Sequence, residues 1–129
     1  MLEGGMTNQI LLYLGSSFLF FWGLAHLFPT RSVVKGFGDI SLDNKRLITM
    51  EWIIEGLALM FIAAVVASVT CFDYASAISR TVYWLSFVML NILSIVSLFT
   101  GFRVNFLPYK LCPVIFTTAS VLIVTGSYI

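Results

Sequence analysis

Apolar and polar positions alternate along this chain in long blocks. Four apolar stretches, roughly residues 10–28, 48–70, 82–102 and 111–128, are separated by short polar ones. A helix that crosses a bilayer needs about 20 predominantly apolar residues, with a working range of about 17–25. All four stretches fit, so the predicted fold class is all-α, an integral membrane four-helix bundle forming a single transmembrane domain over residues 1–129. Pro29 closes the first helix, because proline cannot continue the hydrogen-bond ladder. Residues 30–47 (TRSVVKGFGDISLDNKRL) read as an amphiphilic loop, with Gly36 and Gly38 as turn signals and Asp43 with Asn44 as a cap for the second helix. Residues 71–79 make a tight link with Asp73 as its one acid. Residues 103–110 join the last two helices, and Pro113 suits the first turn of the fourth. The first helix has no Lys or Arg before Arg31 and no small-residue cleavage site before Pro29, so it reads as retained rather than as a secretion signal.

Composition strengthens this picture. The chain is 60% hydrophobic and 10% charged over 129 residues, with a mean hydropathy of +1.01, whereas a soluble domain is about 45–50% apolar and about 25% charged. The surplus apolar surface of so short a chain belongs against lipid. A formal net charge of +1 and the absence of a basic run exclude nucleic acid as a partner. Cys71 and Cys112 fall on opposite sides of the membrane and form no C-x-x-C, so neither a disulfide framework nor a sulfur-ligated metal site is expected.

Charge also orients the bundle. Alternating spans bring residues 29–47 and 103–110 to one side, with Arg31, Lys35, Lys45, Arg46, Arg103 and Lys110; the other side holds Arg80 alone. Positive residues in short loops stay cytoplasmic. The expected location is therefore the plasma (inner) membrane, with both termini exterior or periplasmic and the two basic loops cytoplasmic.

Only one place combines charge with depth in a span. Glu51 and Glu55 lie at i and i+4 near the start of the second stretch, on one face of a helix. A charge at the centre of a membrane helix costs at least ~2.5 kcal/mol, so such groups face a partner, water or a ligand. At about 1.5 Å per residue, Glu55 lies roughly 10 Å deeper than Ile48. His26, the single histidine, sits at the same end, in the last turn of the first helix. Arg103, Asn105, Tyr109 and Lys110 enter from the facing loop, and Asn91, the polar group nearest the bilayer centre, begins a stripe with Ser94 and Ser97. The candidate ligand-binding residues are His26, Glu51, Glu55, Asn91 and Arg103, with no catalytic role assigned and no cofactor indicated. Each has a plainer alternative. Glu51 fits an interfacial carboxylate paired with Lys45, Arg46 or Arg103, His26 an interfacial hydrogen-bonded ring, and the Asn91 stripe close helix packing. Trp22, Trp52, Tyr109 and Tyr128 fit an aromatic belt. One histidine with two carboxylates inverts the usual facial triad, and no Glu-x-x-His pair occurs, so no metal site is expected.

The segments LGSSFLFFWGLAHLFPT (residues 14–30) and MEWIIEGLALMFIA (residues 50–63) resemble the DoxX-like group of small four-helix bacterial membrane proteins. The resemblance covers the first half of the chain, and Gly23, His26, Pro29 and Glu51 are the matching positions. It implies a four-helix bundle, and some members belong to quinone-linked or thiol-related oxidoreductase assemblies. Three functions compete. The first is a DoxX-like accessory subunit of a membrane redox complex, held by a membrane-protein partner or a second copy as well as by the lipid bilayer. The second is a small-molecule or lipid-binding membrane protein or enzyme, with Glu55 and His26 as acid and base candidates; it requires an apolar cavity that reaches Glu55. The third is an oligomeric proton-coupled transporter using Glu55. Against that third function, the last two apolar stretches carry no Asp, Glu, Lys, Arg or His.

Overall fold

Where no water can bond to the backbone, a membrane segment must satisfy its own N–H and C=O groups, which favours unbroken helices. The structure, a computed structural model that describes residues 2–129, follows this rule. Its long helices are α1 (Leu2–Leu27), α3 (Leu42–Asp73), α4 (Ala77–Phe99) and α5 (Leu107–Tyr128). A short α2 (Thr30–Gly36) follows α1, and one 3-10 turn (Gly101–Arg103) precedes α5. There are no strands among the described residues, and the four long helices are each apolar and long enough to cross a membrane. The chain is an all-α, multi-pass membrane protein.

The element boundaries differ from the sequence reading in three places. The polar loop at 30–47 is largely helical: α2 fills its first part, and α3 begins at Leu42, well before residue 48. A helix need not stop where the hydrocarbon does, provided its first turn is capped. Here Ser41, not Asp43 or Asn44, is the cap; its Oγ accepts the Asn44 N–H at 3.2 Å. In α5 the proline of the first turn is Pro108, and Pro113 lies inside the helix. Lacking an N–H, Pro113 removes one bond from the α5 ladder. The carbonyl that loses its donor is that of Tyr109, four residues back; the Pro113 carbonyl takes an additional bond from the Ser94 Oγ of α4, at 3.0 Å. Finally, α1 starts at Leu2 rather than near residue 10.

Around the bundle the order is α3, α1, α5, α4, with broad contacts along the first three junctions and a thinner seam between α3 and α4. The core runs through Leu12, Leu19, Leu59, Val66, Tyr83, Leu90, Phe116 and Ile123. The α1–α3 junction depends on two glycines facing each other. A Cβ on Gly23 would lie 2.6 Å from the Gly56 carbonyl oxygen, and one on Gly56 would lie 2.8 Å from that of Gly23. Small residues let membrane helices approach this closely. This crossing brings the end of α1, with His26, against the stretch of α3 that carries Trp52 and Glu55.

The α3–α4 seam differs at its two ends. At the end carrying the α3–α4 turn, Thr70 Oγ1 and Tyr83 OH share a hydrogen bond of 2.9 Å. Ser79 donates to the carbonyls of Val69 and Asp73, and Tyr83 is fully buried. At the other end, which carries α2 and the α4–α5 connection, a hollow is lined by residues of both helices.

Candidate functional site

The last carbonyls of a helix have no intrahelical partner, and at the end of α1 two neighbours supply them. Thr30 Oγ1 donates to the Leu27 carbonyl at 2.9 Å and to that of His26 at 3.2 Å, and Trp52 Nε1 also donates to the His26 carbonyl. The imidazole is fixed as well. His26 Nδ1 lies 2.8 Å from the Trp22 carbonyl oxygen, and because a carbonyl only accepts, Nδ1 must carry the hydrogen. Nε2 is left to face Glu55, with Oε1 at 3.6 Å. That spacing is beyond hydrogen-bond reach but close enough for charge attraction. His26 is almost wholly buried, 4% exposed, while the Glu55 side chain is 46% exposed on the α3–α4 seam.

Aromatic rings hold this pair in place. The His26 ring packs on Trp52 at a tilt, with centroids 4.8 Å apart and an angle of 33°. Trp22 meets His26 edge-on at 5.7 Å, and Tyr109 meets Trp52 edge-on at 5.6 Å. Beside them lies a cavity of about 330 Å³. Its walls are His26 from α1, Trp52 and Glu55 from α3, Leu93, Val96, Ser97 and Thr100 from the end of α4, and Tyr109, Cys112 and Phe116 from α5. A second hollow of about 190 Å³ lies behind it, toward Trp22, Pro29 and Phe106. His26, Trp52, Tyr109 and Cys112 line both and form the partition between them. The Trp22 indole N–H, which belongs to the second hollow, is buried and has no hydrogen-bond partner.

The five residues singled out from the sequence separate here. His26 and Glu55 meet in the cavity. Glu51 lies one turn nearer the start of α3, is exposed, and does not line it. The pairing of Glu51 with Lys45, Arg46 or Arg103 is absent among the described residues; Arg46 pairs with Asp43 instead, at 3.7 Å. Arg103 is exposed in the 3-10 turn. Asn91 donates Nδ2 to the Phe87 carbonyl of its own helix at 2.7 Å and stays outside the cavity. Of its stripe, Ser94 packs against α5 through Pro113 and Thr117, and Ser97 reaches the cavity wall.

Trp52, Tyr109 and Cys112 are among the wall residues outside the sequence candidates, beside Leu93, Val96, Thr100 and Phe116. Trp52 precedes Glu55 by three positions and Cys112 follows Tyr109 by three, so each pair shares a helix face. That spacing was the available signal, but an aromatic near a helix end reads equally as part of a membrane belt. Chemically, the site offers one pair of ionisable groups, an imidazole Nε2 and a carboxylate, in a hollow of mixed walls, with Leu93, Val96 and Phe116 beside Ser97, Thr100 and Tyr109. Such a pair can pass a proton between its members or hold the polar end of an apolar molecule. Among the described residues, no three His, Cys, Asp or Glu side chains cluster closely enough to hold a metal ion. Comparison of the chain with protein-family models, with characterised proteins and with solved structures finds no match.

Proposed function

We propose that this protein binds a small, mostly apolar molecule in the His26–Glu55 cavity, at the cytoplasmic end of the α3–α4 seam in the inner membrane. One observation carries the reading: a hollow of about 330 Å³ reaches Glu55, at the lower bound of the range of about 300–1,000 Å³ common for small-molecule sites. Leu93, Val96 and Phe116 would take the ligand's apolar body. His26 Nε2 and the Glu55 carboxylate would take its polar end. Because Glu55 is half exposed on the thinner seam, the ligand would enter sideways between α3 and α4, from the lipid. The cytoplasmic assignment of this end rests on Arg31, Lys35, Lys45, Arg46, Arg103 and Lys110, against Arg80 at the other end.

The test is native mass spectrometry of the detergent-solubilised chain beside Glu55→Gln and Ser97→Phe variants. We expect a small-molecule adduct on the unaltered chain and none on either variant, one having lost the polar anchor and the other the space. A bare unaltered chain, or an adduct that persists in both variants, would sink the reading.

A second reading, the DoxX-like accessory subunit, draws on a different feature. A groove of about 330 Å³ runs along the outside of α1 and α5, lined by Leu14, Ser17, Phe18, Phe21, Trp22 and Ile115, and a transmembrane helix of a partner would fit along it. A chain recovered only with a larger membrane protein, and released by Phe18→Ala with Phe21→Ala, would favour that reading.

A further inference from the structure

At the α2 end of the bundle, the chain builds a recess that shares no residue with the His26–Glu55 cavity. Its volume is about 480 Å³, and Arg31, Lys35, Asp39 and Lys45 are the charged groups in its wall. Arg31 and Lys35 stand one turn apart on α2 and so share a face. Lys45 comes from the first turns of α3, which the chain reaches by folding back through Gly38, whose φ is +72°. The ion pairs among the described residues are His26–Glu55 and Arg46–Asp43. Arg31, Lys35 and Lys45 therefore converge without a paired carboxylate, and Asp39 offsets only one of the three charges. Like charges held together repel, and the arrangement is relieved when an anion sits among them. The place is also telling. The apolar α1 span ends at Leu27, and α2 begins at Thr30; a helix that follows a span this closely belongs to the interfacial layer of the bilayer.

We propose that this recess binds a phosphate-bearing anion, with Arg31, Lys35 and Lys45 donating to its oxygens. Two sources present that chemistry: the headgroup of an anionic phospholipid in the adjoining leaflet, and inorganic phosphate in solution. The arginine fork suits two phosphate oxygens at once, and the lysines add point charges. The inference does not depend on the His26–Glu55 reading and stands or falls separately from it.

The experiment uses the full chain in mild detergent, titrated with phosphatidylglycerol, with phosphatidylcholine of the same acyl chains, or with inorganic phosphate. Binding is read by native mass spectrometry and by the shift in thermal unfolding. We expect phosphatidylglycerol to bind selectively over phosphatidylcholine. Neutralising the recess should weaken this binding by about fivefold per cation removed, in Lys35→Gln, Lys45→Gln and the triple variant with Arg31→Gln. The double variant Arg103→Gln with Lys110→Gln removes charge elsewhere at the same end and should leave the selectivity intact. Asp39→Asn should tighten binding by about the same factor, which keeps the test decisive if the triple variant does not fold. Displacement of the lipid by millimolar inorganic phosphate, with an equal thermal shift, would identify soluble phosphate as the source; persistence of the lipid would identify the headgroup. Equal binding of the two lipids with no effect of phosphate overturns the proposal. So does loss of selectivity as large in the Arg103/Lys110 variant as in the recess variants, or no response to Asp39→Asn.

Discussion

At the turn end of the α3–α4 seam, Thr70, Ser79 and Tyr83 exchange hydrogen bonds across the junction, and Tyr83 is sealed from the surroundings. At the α2 end, Glu55 faces Leu93, Val96, Ser97 and Thr100 across an open hollow. Thr100 turns its hydroxyl onto the Val96 carbonyl of its own helix, at 2.6 Å. The aromatic rings there pack tilted or edge-on against one another and His26 rather than bridging to α4. The same two helices are thus joined where hydroxyl groups bond across the junction, and at the hollow no hydrogen bond links Glu55 to Ser97 or Thr100 among the described residues. In a membrane, burying apolar surface does not by itself drive helices together, because lipid is as apolar as leucine; close packing and interhelical hydrogen bonds do. A seam that lacks both is free to stay open, which is what a site entered from the lipid requires.

That contrast can be broken in graded steps. The largest effect is expected at the sealed end. Tyr83→Ala removes a fully buried ring and should lower unfolding stability in detergent by about 3–5 kcal/mol. The folded fraction should still bind ligand at the hollow end, and a loss below about 1 kcal/mol would show that the seal does not hold the bundle. Gly56→Val acts on both ends through the α1–α3 crossing. Its added carbon atoms meet the Gly23 carbonyl, so a cost of about 1–3 kcal/mol is expected. Separation of His26 from Trp52 should follow, seen as altered tryptophan fluorescence; unchanged fluorescence would mean the crossing does not position the site.

Tyr83→Phe is gentler. It deletes only the hydroxyl shared with Thr70, which keeps its own bond to the Val66 carbonyl at 2.7 Å. About 1 kcal/mol should be lost, and a denaturation curve that superimposes on that of the unaltered protein would remove the hydrogen bond from the account of the seal. The smallest stability effect is expected from Glu55→Gln. With its side chain 46% exposed, the substitution should change stability by no more than about 0.5 kcal/mol while abolishing the bound adduct. A large destabilisation there would make Glu55 a structural residue and remove the functional contrast between the two ends.

Much of the architecture is legible in the order of apolar and polar residues. The four spans follow from apolar length, and their helical state follows from the need to satisfy the backbone in lipid. Helix ends were less legible. The seven-residue α2 is too short to show a helical period, so its polar composition read as a loop. Pro113 reads as a helix start because a proline inside a helix is normally costly, and only the structure shows that α5 begins at Leu107, with Pro108 in its first turn. Within the site, Glu51 and Glu55 were indistinguishable, one turn apart on one face. Trp52 and Tyr109 looked like interfacial anchors, and they turn inward because the Gly23–Gly56 crossing and the start of α5 place His26 between them and Trp22.

By itself, then, the sequence determined the number of spans, their helical state and the uneven distribution of cations between the two ends, since these depend on summed hydropathy and charge along the chain. Only the tertiary structure decided which face of each span meets a neighbour, which glutamate reaches His26, and that the α3–α4 seam closes at one end and not the other. The physical reason is that a membrane helix is apolar on nearly every side. A soluble helix marks its inner face with a hydrophobic stripe. In these spans the inner face is set by where small residues, hydroxyls and rings come to interlock with the helix beside them.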